Sequence, residues 1–289
     1  MNTVKTAAPP LRKNYRAVKQ ERPLIVTRAP HIQSSQTVSG RMWTLIFALV
    51  PVMTVAVAVY GQKALWVLFH SIISAVTFEF IAEKLFKRPV RILDGSAVLM
   101  GLILGLNLPM MAPSWMIWTG NFFTVFVARE LAGGLGKNQF HPSLFGLAVL
   151  YFLYPVIMTH KPPLIASEFS NLVILFSGAF LMFKRVIHWQ NSLTYLTAIA
   201  VTTLVFGRIP SFETFSPSIL FASMFIITDS VTSPLTVRGQ MIFALCAGIL
   251  TQIIRIFIGE PEGMIFGILV MNGWVRFIDK HVTMRALGT

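Results

Sequence analysis

The sequence has few charged residues and a single cysteine. Charged residues make up 12% of its 289 positions, whereas hydrophobic residues make up 55%. This composition leaves too little polar surface to cover a soluble globule, so it predicts a protein that lies in a membrane. Cys246 lies inside an apolar segment, so the chain alone can form neither a disulfide nor a thiolate-ligated iron–sulfur cluster.

Histidine is also scarce where a membrane cofactor would need it. Of the six histidines, only His70 lies well within an apolar segment, whereas a membrane-embedded b-type haem usually needs two facing histidines. A buried metal site would have to gather its ligands from scattered loop histidines without a motif. We therefore expect no haem, no iron–sulfur cluster and no metal site in this chain.

Ten apolar segments run through the chain, and they predict an all-α polytopic membrane protein of about ten transmembrane helices. The segments are residues 42–60, 64–86, 95–107, 111–128, 143–158, 171–183, 192–206, 215–228, 241–257 and 264–277. Twenty of the 24 lysines and arginines fall on one side of these segments. Because short cytoplasmic loops retain Lys and Arg, both termini are predicted to be cytoplasmic.

The net charge of +13 is split among short loops and one N-terminal stretch rather than gathered on one face. That layout favours contact with anionic membrane lipid and disfavours nucleic-acid binding. We predict a basic cytoplasmic arm at 1–41, a five-helix repeat at 42–158 and an outer loop at 159–170. A second five-helix repeat follows at 171–280, with a cytoplasmic tail at 281–289.

Two apolar segments, 95–107 and 215–228, are shorter than the roughly 20 residues of a straight membrane-spanning helix. Each ends in a polar residue with a proline soon after, Asn107 in one and Asp229 in the other, and these are 122 residues apart. Phe145-Gly146 and Phe266-Gly267 are 121 apart. The spacing predicts two inverted repeats with short broken helices and a site between them. Chance similarity among glycine-rich helices is the alternative.

The first polar stretch is a glycine-rich loop at residues 133–142. Gly133, Gly134, Gly136 and Asn138 could turn backbone N–H groups toward a phosphate or a ring edge. A helix C-cap followed by a turn would use the same residues. We take these four residues as cofactor-binding candidates and keep the C-cap as the alternative.

A second polar stretch follows the short segment that ends near Asp229. Thr228, Asp229, Thr232 and Ser233 could form the polar wall of a dry site that coordinates a cation or hydrogen-bonds a ring. The same side chains could instead cap two helix ends. We take these four as further cofactor-binding candidates.

Three carboxylates are candidates for an ion pathway. Glu79 lies within an apolar segment, where a carboxylate usually faces the bundle interior and is paired or functional. Asp229 adjoins the interrupted helix, and Glu262 precedes the last segment on the outer side. Asp94, in Asp94-Gly95-Ser96-Ala97, is explained by helix capping.

Taken in order, these stretches resemble the RnfD/NqrB family, the ten-helix membrane subunits of the Rnf and sodium-pumping Nqr redox complexes. The resemblance runs from Ala29-Pro30-His31 through the stretches above and Pro261-Glu262-Gly263 to Met271-Asn272. It implies a flavin-carrying electron-transfer subunit in a bacterial inner membrane. Such a subunit works beside other Rnf- or Nqr-like subunits and is coupled to Na⁺ or H⁺ movement or to a quinone.

One departure from the family concerns the covalent flavin. Members carry FMN through a phosphoester to a threonine in a Ser/Thr-Gly/Ser-Ala-Thr motif on the outer loop after the fifth helix. Residues 159–170 contain no such motif, and the nearest string, Ser177-Gly178-Ala179-Phe180, ends in phenylalanine. We therefore expect no covalent FMN here. His141 and Ser230 also stand where the resemblance leads us to expect asparagine and proline.

The leading hypothesis is a divergent electron-transport subunit of an oxidoreductase or translocase complex, and not a complete enzyme. It would bind a flavin (riboflavin or FMN) non-covalently, or a quinone, and exchange electrons with a partner that carries covalent FMN. The alternatives are a non-redox transporter or channel-like protein, or a structural subunit, on the same scaffold. An RnfD-like accessory protein of an enediyne-type biosynthetic system is an example.

Overall fold

The structure is a computed structural model that describes residues 37–89, 91–134, 136–160, 162–167, 169–259 and 262–282. Most of the predicted basic arm and of the predicted C-terminal tail lie outside the described residues. The side chain of Glu262 lies outside them too, although its backbone begins the last helix.

Helices make up almost all of the regular structure in the described residues, which contain no β-strand beyond one isolated bridge, Pro109 to Pro163. Two helices change to π geometry partway, and two short 3₁₀ helices, Ile92–Asp94 and Phe212–Phe215, precede short α-helices. The α-helices are α1 Val38–Tyr60, α2 Gln62–Leu85, α3 Ser96–Leu106, α4 Ser114–Asn121 with its π continuation Phe122–Leu131, α5 Pro142–Leu153, α6 Pro155–His160, α7 Ser170–Phe183, α8 Trp189–Val205, α9 Pro217–Phe221 with its π continuation Ala222–Ile226, α10 Val237–Phe257 and α11 Glu262–His281.

These helices overlap the ten predicted apolar segments, and the predicted all-helical class is confirmed. Three of them, α1, α2 and α10, are long and apolar enough to cross a membrane by length and composition. Large apolar side chains such as Phe152 and Phe183 are 78% and 84% exposed, as lipid-facing surface requires. The chain is a membrane protein, while the number of ten crossings stays a prediction.

The helices α3 and α9 are short, as predicted. Helix α3 has 11 residues. Its start is set by Gly95, whose φ of 81° suits glycine, and by Asp94, whose Oδ1 accepts from the Ser96 N–H at 2.7 Å. Helix α9 begins with Pro217 at its first turn and has five α-helical and five π-helical residues.

The outer loop closes the C-terminal end of α3. The N–H groups of Leu164 and Ile165 donate to the carbonyls of Leu108 and Leu106 at 3.0 and 3.1 Å. The hydroxyl of Tyr60 donates to the Ala166 carbonyl at 2.7 Å. These bonds satisfy backbone groups that a helix stopping inside a membrane protein would leave unpaired.

Close helix contacts depend on small residues in both halves of the chain. A Cβ added at Gly146 of α5 would collide with the Thr124 hydroxyl and would lie 2.7 Å from the Gly120 carbonyl oxygen. A Cβ added at Gly267 of α11 would lie 2.7 Å from the backbone nitrogen of Thr251. Helix α5 therefore packs on α4, and α11 on α10, at distances that only glycine permits.

Candidate functional site

The two predicted polar stretches meet at one cavity, which we call the central cavity. Asn138 and His141 come from the glycine-rich loop, and Thr228 and Asp229 come from the end of the π-helix that continues α9. The apolar side of the cavity is formed by the first half of α3, by the start of α1 and by Phe225. The structure thus brings together four polar residues that lie about 90 positions apart in the sequence.

Asn272 of α11 joins the two stretches and is fully buried. With its amide oriented by its neighbours, its oxygen accepts from the His141 N–H at 2.9 Å and its nitrogen donates to the Thr232 carbonyl at 3.3 Å. One side chain therefore fixes the spacing of both loops. In the sequence, Asn272 stands out only as the end of the family resemblance, because a lone asparagine in an apolar segment does not reveal its partners.

Two polar atoms beside the cavity are buried and have no hydrogen-bond partner, namely Asn138 Oδ1 and His141 Nδ1. Each residue is only 5% exposed. Burial lowers the pKa of the His141 imidazole, and the neighbouring Asp229 carboxylate opposes that shift. A ligand or water with both donor and acceptor groups would satisfy these atoms.

The central cavity has a volume of about 50 Å³. That space holds a few water molecules, whereas pockets for cofactor-sized ligands have about 300 Å³ or more. The polar groups therefore fit the edge of a flavin or quinone ring, but in this conformation the space does not fit the ring itself.

The glycines of the loop have a different role from Asn138. The N–H groups of Gly133 and Gly134 donate to the carbonyls of Glu130 and Arg129 at 3.1 and 3.0 Å, which is a helix C-cap. Both glycines have positive φ, 113° and 93°. Their N–H groups are thus engaged within the chain, and the structure does not place them at the cavity, while Gly136 is exposed.

The hydroxyls of the second stretch are used within the stretch itself. Thr228 donates to the Met224 carbonyl at 2.6 Å, and Thr232 donates to Asp229 Oδ2 at 2.9 Å. Ser233 is buried beside them. Asp229 is therefore oriented by Thr232 where it lines the cavity.

Glu79 has the buried partner that its position requires. Its Oε1 lies 2.6 Å from Arg129 Nη1, and both side chains are almost fully buried. Arg129 also donates to the Ser96 hydroxyl at 2.8 Å, and Ser96 Oγ lies 2.5 Å from Asp94 Oδ1. Glu130 lies 3.3 Å from Arg129 Nε.

This buried charge network reaches the protein surface through Arg88. Arg88 Nη1 lies 2.8 Å from Glu130 Oε2, and its side chain is 33% exposed. From the sequence, Arg129 counts only among the basic residues of a loop. An adjacent Arg-Glu pair at the end of an apolar segment was the signal that could have identified it, because ionisable pairs at that position seek buried partners.

No group of three or more His, Cys, Asp or Glu side chains suited to a metal ion occurs among the residues that the structure describes. The site is therefore characterised by hydrogen-bonding polar groups and ion pairs.

A helical membrane protein with short interrupted helices, a buried charge network and a polar cavity between them belongs to the class of membrane transport and redox subunits. The sequence profile of the NQR2, RnfD, RnfE family matches residues 25–166 and 161–288. The chain belongs to this family.

Relatives of known designation cover nearly all of the chain, and each is named as the subunit lettered D of its complex. The chain is 32% identical to that of the proton-translocating ferredoxin:NAD(+) oxidoreductase complex of Clostridium ljungdahlii, over 91% of this chain and 96% of the relative. It is 31% identical to that of the Na(+)-translocating ferredoxin:NAD(+) oxidoreductase complex of Acetobacterium woodii, over 92% and 95%. That of the ion-translocating oxidoreductase complex of Methanosarcina acetivorans is 32% identical, over 91% and 96%.

Proposed function

We propose that this protein is the membrane-embedded electron-transport subunit of an ion-translocating oxidoreductase complex. The observation that carries the proposal is full-length similarity to relatives named as the corresponding subunit of such complexes. The coupling ion would be Na⁺ or H⁺, since the two relatives differ in the ion that their names print. Its partners would be the other Rnf- or Nqr-like subunits and a protein carrying covalent FMN, in a bacterial inner membrane with both termini cytoplasmic.

The proposal includes ten membrane crossings in two inverted five-helix repeats. Hydrogen bonds that recur at the repeat spacing support it. Ser71 Oγ of α2 donates to the Gly101 carbonyl of α3 at 2.7 Å. Ser192 Oγ of α8 donates to the Ser223 carbonyl, in the π-helix that continues α9, also at 2.7 Å. Donor and acceptor are displaced by 121 and 122 positions, so α2 with α3 corresponds to α8 with α9.

We further propose that the polar edge of a non-covalently bound flavin or quinone binds at the central cavity, beside Asn138 and Asp229. The unpartnered Asn138 Oδ1 and His141 Nδ1 support this site, with Thr228, Thr232 and Ser233 shaping the wall. The glycines 133, 134 and 136 would let the loop move. Because the cavity measures only about 50 Å³, the loops must separate before a ring can enter. No covalent FMN is expected.

The bound cofactor would supply the redox chemistry. The chain would bind and orient its polar edge through Asn138 and Asp229, and α3 and Phe225 would exclude water from its apolar face. Glu79, Asp229 and Glu262 remain candidates for the ion pathway.

Purified full-length protein tests the cofactor site. We expect a flavin absorbance band or extractable quinone, reduced severalfold in Asn138→Leu and in Asp229→Asn. Asp279→Asn is the matched control, because Asp279 accepts from the Leu235 N–H outside the cavity. Protein with neither chromophore nor quinone would contradict the cofactor site.

The small cavity favours a second candidate function, cation or solute transport without a bound chromophore. In that case the protein would be colourless and would still move its substrate in liposomes. Discontinuous helices around a central site are the arrangement that secondary transporters use.

A further inference from the structure

The interface between α2 and α4 contains a buried polar cluster far from the charge network's exposed end. Asn121 Nδ2 donates to Ser71 Oγ at 3.0 Å and to Ser74 Oγ at 2.9 Å. All three side chains are fully buried. Asn121 Oδ1 has no hydrogen-bond partner, so this cluster, which we call the inner polar cluster, has an unsatisfied acceptor.

The charge network follows along the same two helices. Glu79 lies five residues after Ser74 on α2, and Arg129 lies eight residues after Asn121 along α4 and its π continuation. Glu79 Oε2 is also buried without a hydrogen-bond partner. Two unpaired acceptor oxygens therefore lie on one interface, and only the charge network has a route to the surface, through Arg88, within the described residues.

A small apolar cluster lies between the two polar groups. It consists of Ala75, Ala97 and Val125, which are at most 1% exposed and form a cluster separate from the main hydrophobic core. Ala75 lies one turn before Glu79, and Val125 lies four residues from both Asn121 and Arg129. We call these three residues the plug.

The charges around the plug favour a cation. Three carboxylates, those of Glu79, Asp94 and Glu130, face two guanidinium groups, those of Arg88 and Arg129. The excess negative charge and the two unpaired oxygens would both be satisfied by a small cation. Apolar constrictions made of small side chains can close such a route by excluding water.

We propose that the α2–α4 interface is part of a path for a small monovalent cation, H⁺ or Na⁺, and that the plug is its hydrophobic gate. The proposal rests on the ion-translocating part of the proposed function. The cation passes from Arg88 and Glu130 past Glu79, and opening of the plug connects Glu79 with the inner polar cluster.

Passive flux through the full chain in liposomes tests the gate without any redox reaction. Val125→Thr keeps the side-chain volume and adds a hydroxyl, so water should enter the plug and the cation leak should rise at least about tenfold. A pH-sensitive dye and a Na⁺-sensitive dye in separate preparations distinguish the two ions. Wild-type protein should remain tight.

Val52→Thr is the matched control, because Val52 is similarly buried in the main core on α1. A leak in Val52→Thr as large as in Val125→Thr would overturn the proposal, and so would a folded, tight Val125→Thr. If Val125→Thr does not fold, Ala97→Ser adds one hydroxyl to the same plug and is held to the same two outcomes.

Redox-driven cation uptake into membrane vesicles containing the whole complex gives the second measurement. Val125→Phe should reduce uptake at least about tenfold by filling the gate, while the bound chromophore is retained. Normal uptake with Val125→Phe would overturn the gate. Absence of uptake by the wild-type complex would instead contradict the proposed function, while the passive-flux result still decides the gate.

Discussion

Arg129 and Arg255 occupy matching places in the two halves of the chain. Each lies in the last turn of a long helix, and each bonds to the segment that precedes a short helix. Arg129 donates to the Ser96 hydroxyl and pairs with the buried carboxylate of Glu79. Arg255 donates to the backbone carbonyls of Thr214 and Glu213 at 2.7 and 2.5 Å.

The difference lies in the position that corresponds to Glu79. At the repeat spacing of 121 residues, the second half has Ala200. The arginine is thus a helix-to-turn connection shared by both halves, and the buried carboxylate is an addition to the first half alone. A buried ion pair is weak evidence for stability, so this addition supports a role in ion movement.

The largest expected effect comes from breaking the pair that only the first half has. Arg129→Met leaves Glu79 and Glu130 buried without their guanidinium, which should lower the unfolding free energy by about 3–5 kcal/mol. Arg255→Met removes two hydrogen bonds from a half-buried side chain and should cost about 1–2 kcal/mol. Unfolding in mixed detergent micelles measures both.

Equal losses for the two arginine variants would contradict the comparison. The double variant Glu79→Leu with Arg129→Met sharpens it, because removing both charges should cost less than the sum of the single losses. A fully additive result would mean that the two side chains do not act as a pair.

Close packing is the feature that the two halves share. Gly146→Ala places a methyl group against Thr124 and the Gly120 carbonyl, and Gly267→Ala places one against the backbone of Thr251. Each should lower the unfolding free energy by about 1–3 kcal/mol, because backbone cannot move aside cheaply. The same micelle titration measures both.

Gly273→Ala is the control for the glycine variants. It lies on α11 like Gly267, but its added Cβ would meet nothing closer than 3.9 Å, so stability should be unchanged or slightly higher. A loss for only one of Gly146→Ala and Gly267→Ala would contradict the equivalence of the two contacts.

The helices were predictable because each apolar segment carries its own local signals. The short length of α3 followed from Gly95 and Asn107, and that of α9 followed from Asp229 and its nearby proline. The convergence of the Asn138 and Asp229 stretches also followed from treating both as too polar for lipid-facing helix. Period and turn residues are local, so a single sequence reveals them.

The partners of buried polar groups were not predictable. Glu79 and Arg129 are 50 positions apart, and their pairing depends on how α2 packs on the π-helical end of α4. Arg129 at the end of an apolar segment resembles a cytoplasmic loop charge. Gly133 and Gly134 fit a phosphate loop and a helix C-cap equally well, and only the hydrogen bonds to Glu130 and Arg129 distinguish them.

His141 tests the junction where the two halves meet. Because burial lowers its pKa in the folded protein, the unfolded chain binds more protons below the ordinary pKa of about 6.5. Stability should therefore fall as the pH drops through that value, by up to about 1.4 kcal/mol per pH unit. Thermal unfolding at a series of pH values measures the slope.

His141→Asn should remove this acid sensitivity, and His188→Asn should preserve it because His188 is exposed before α8. An unchanged pH slope in His141→Asn would show that other groups cause the acid loss.

The smallest expected effect compares the two serines that make the repeated helix-to-helix bond. Ser192→Ala removes one bond, to the Ser223 carbonyl, and should cost about 1 kcal/mol. Ser71→Ala removes the matching bond to Gly101 and the acceptor for Asn121, so about 2 kcal/mol is expected. In the background of Asn121→Leu the cost of Ser71→Ala should fall to the Ser192 value, because only the shared bond is then lost. A Ser71→Ala cost that stays the same in that background would mean that Asn121 adds nothing to the first half.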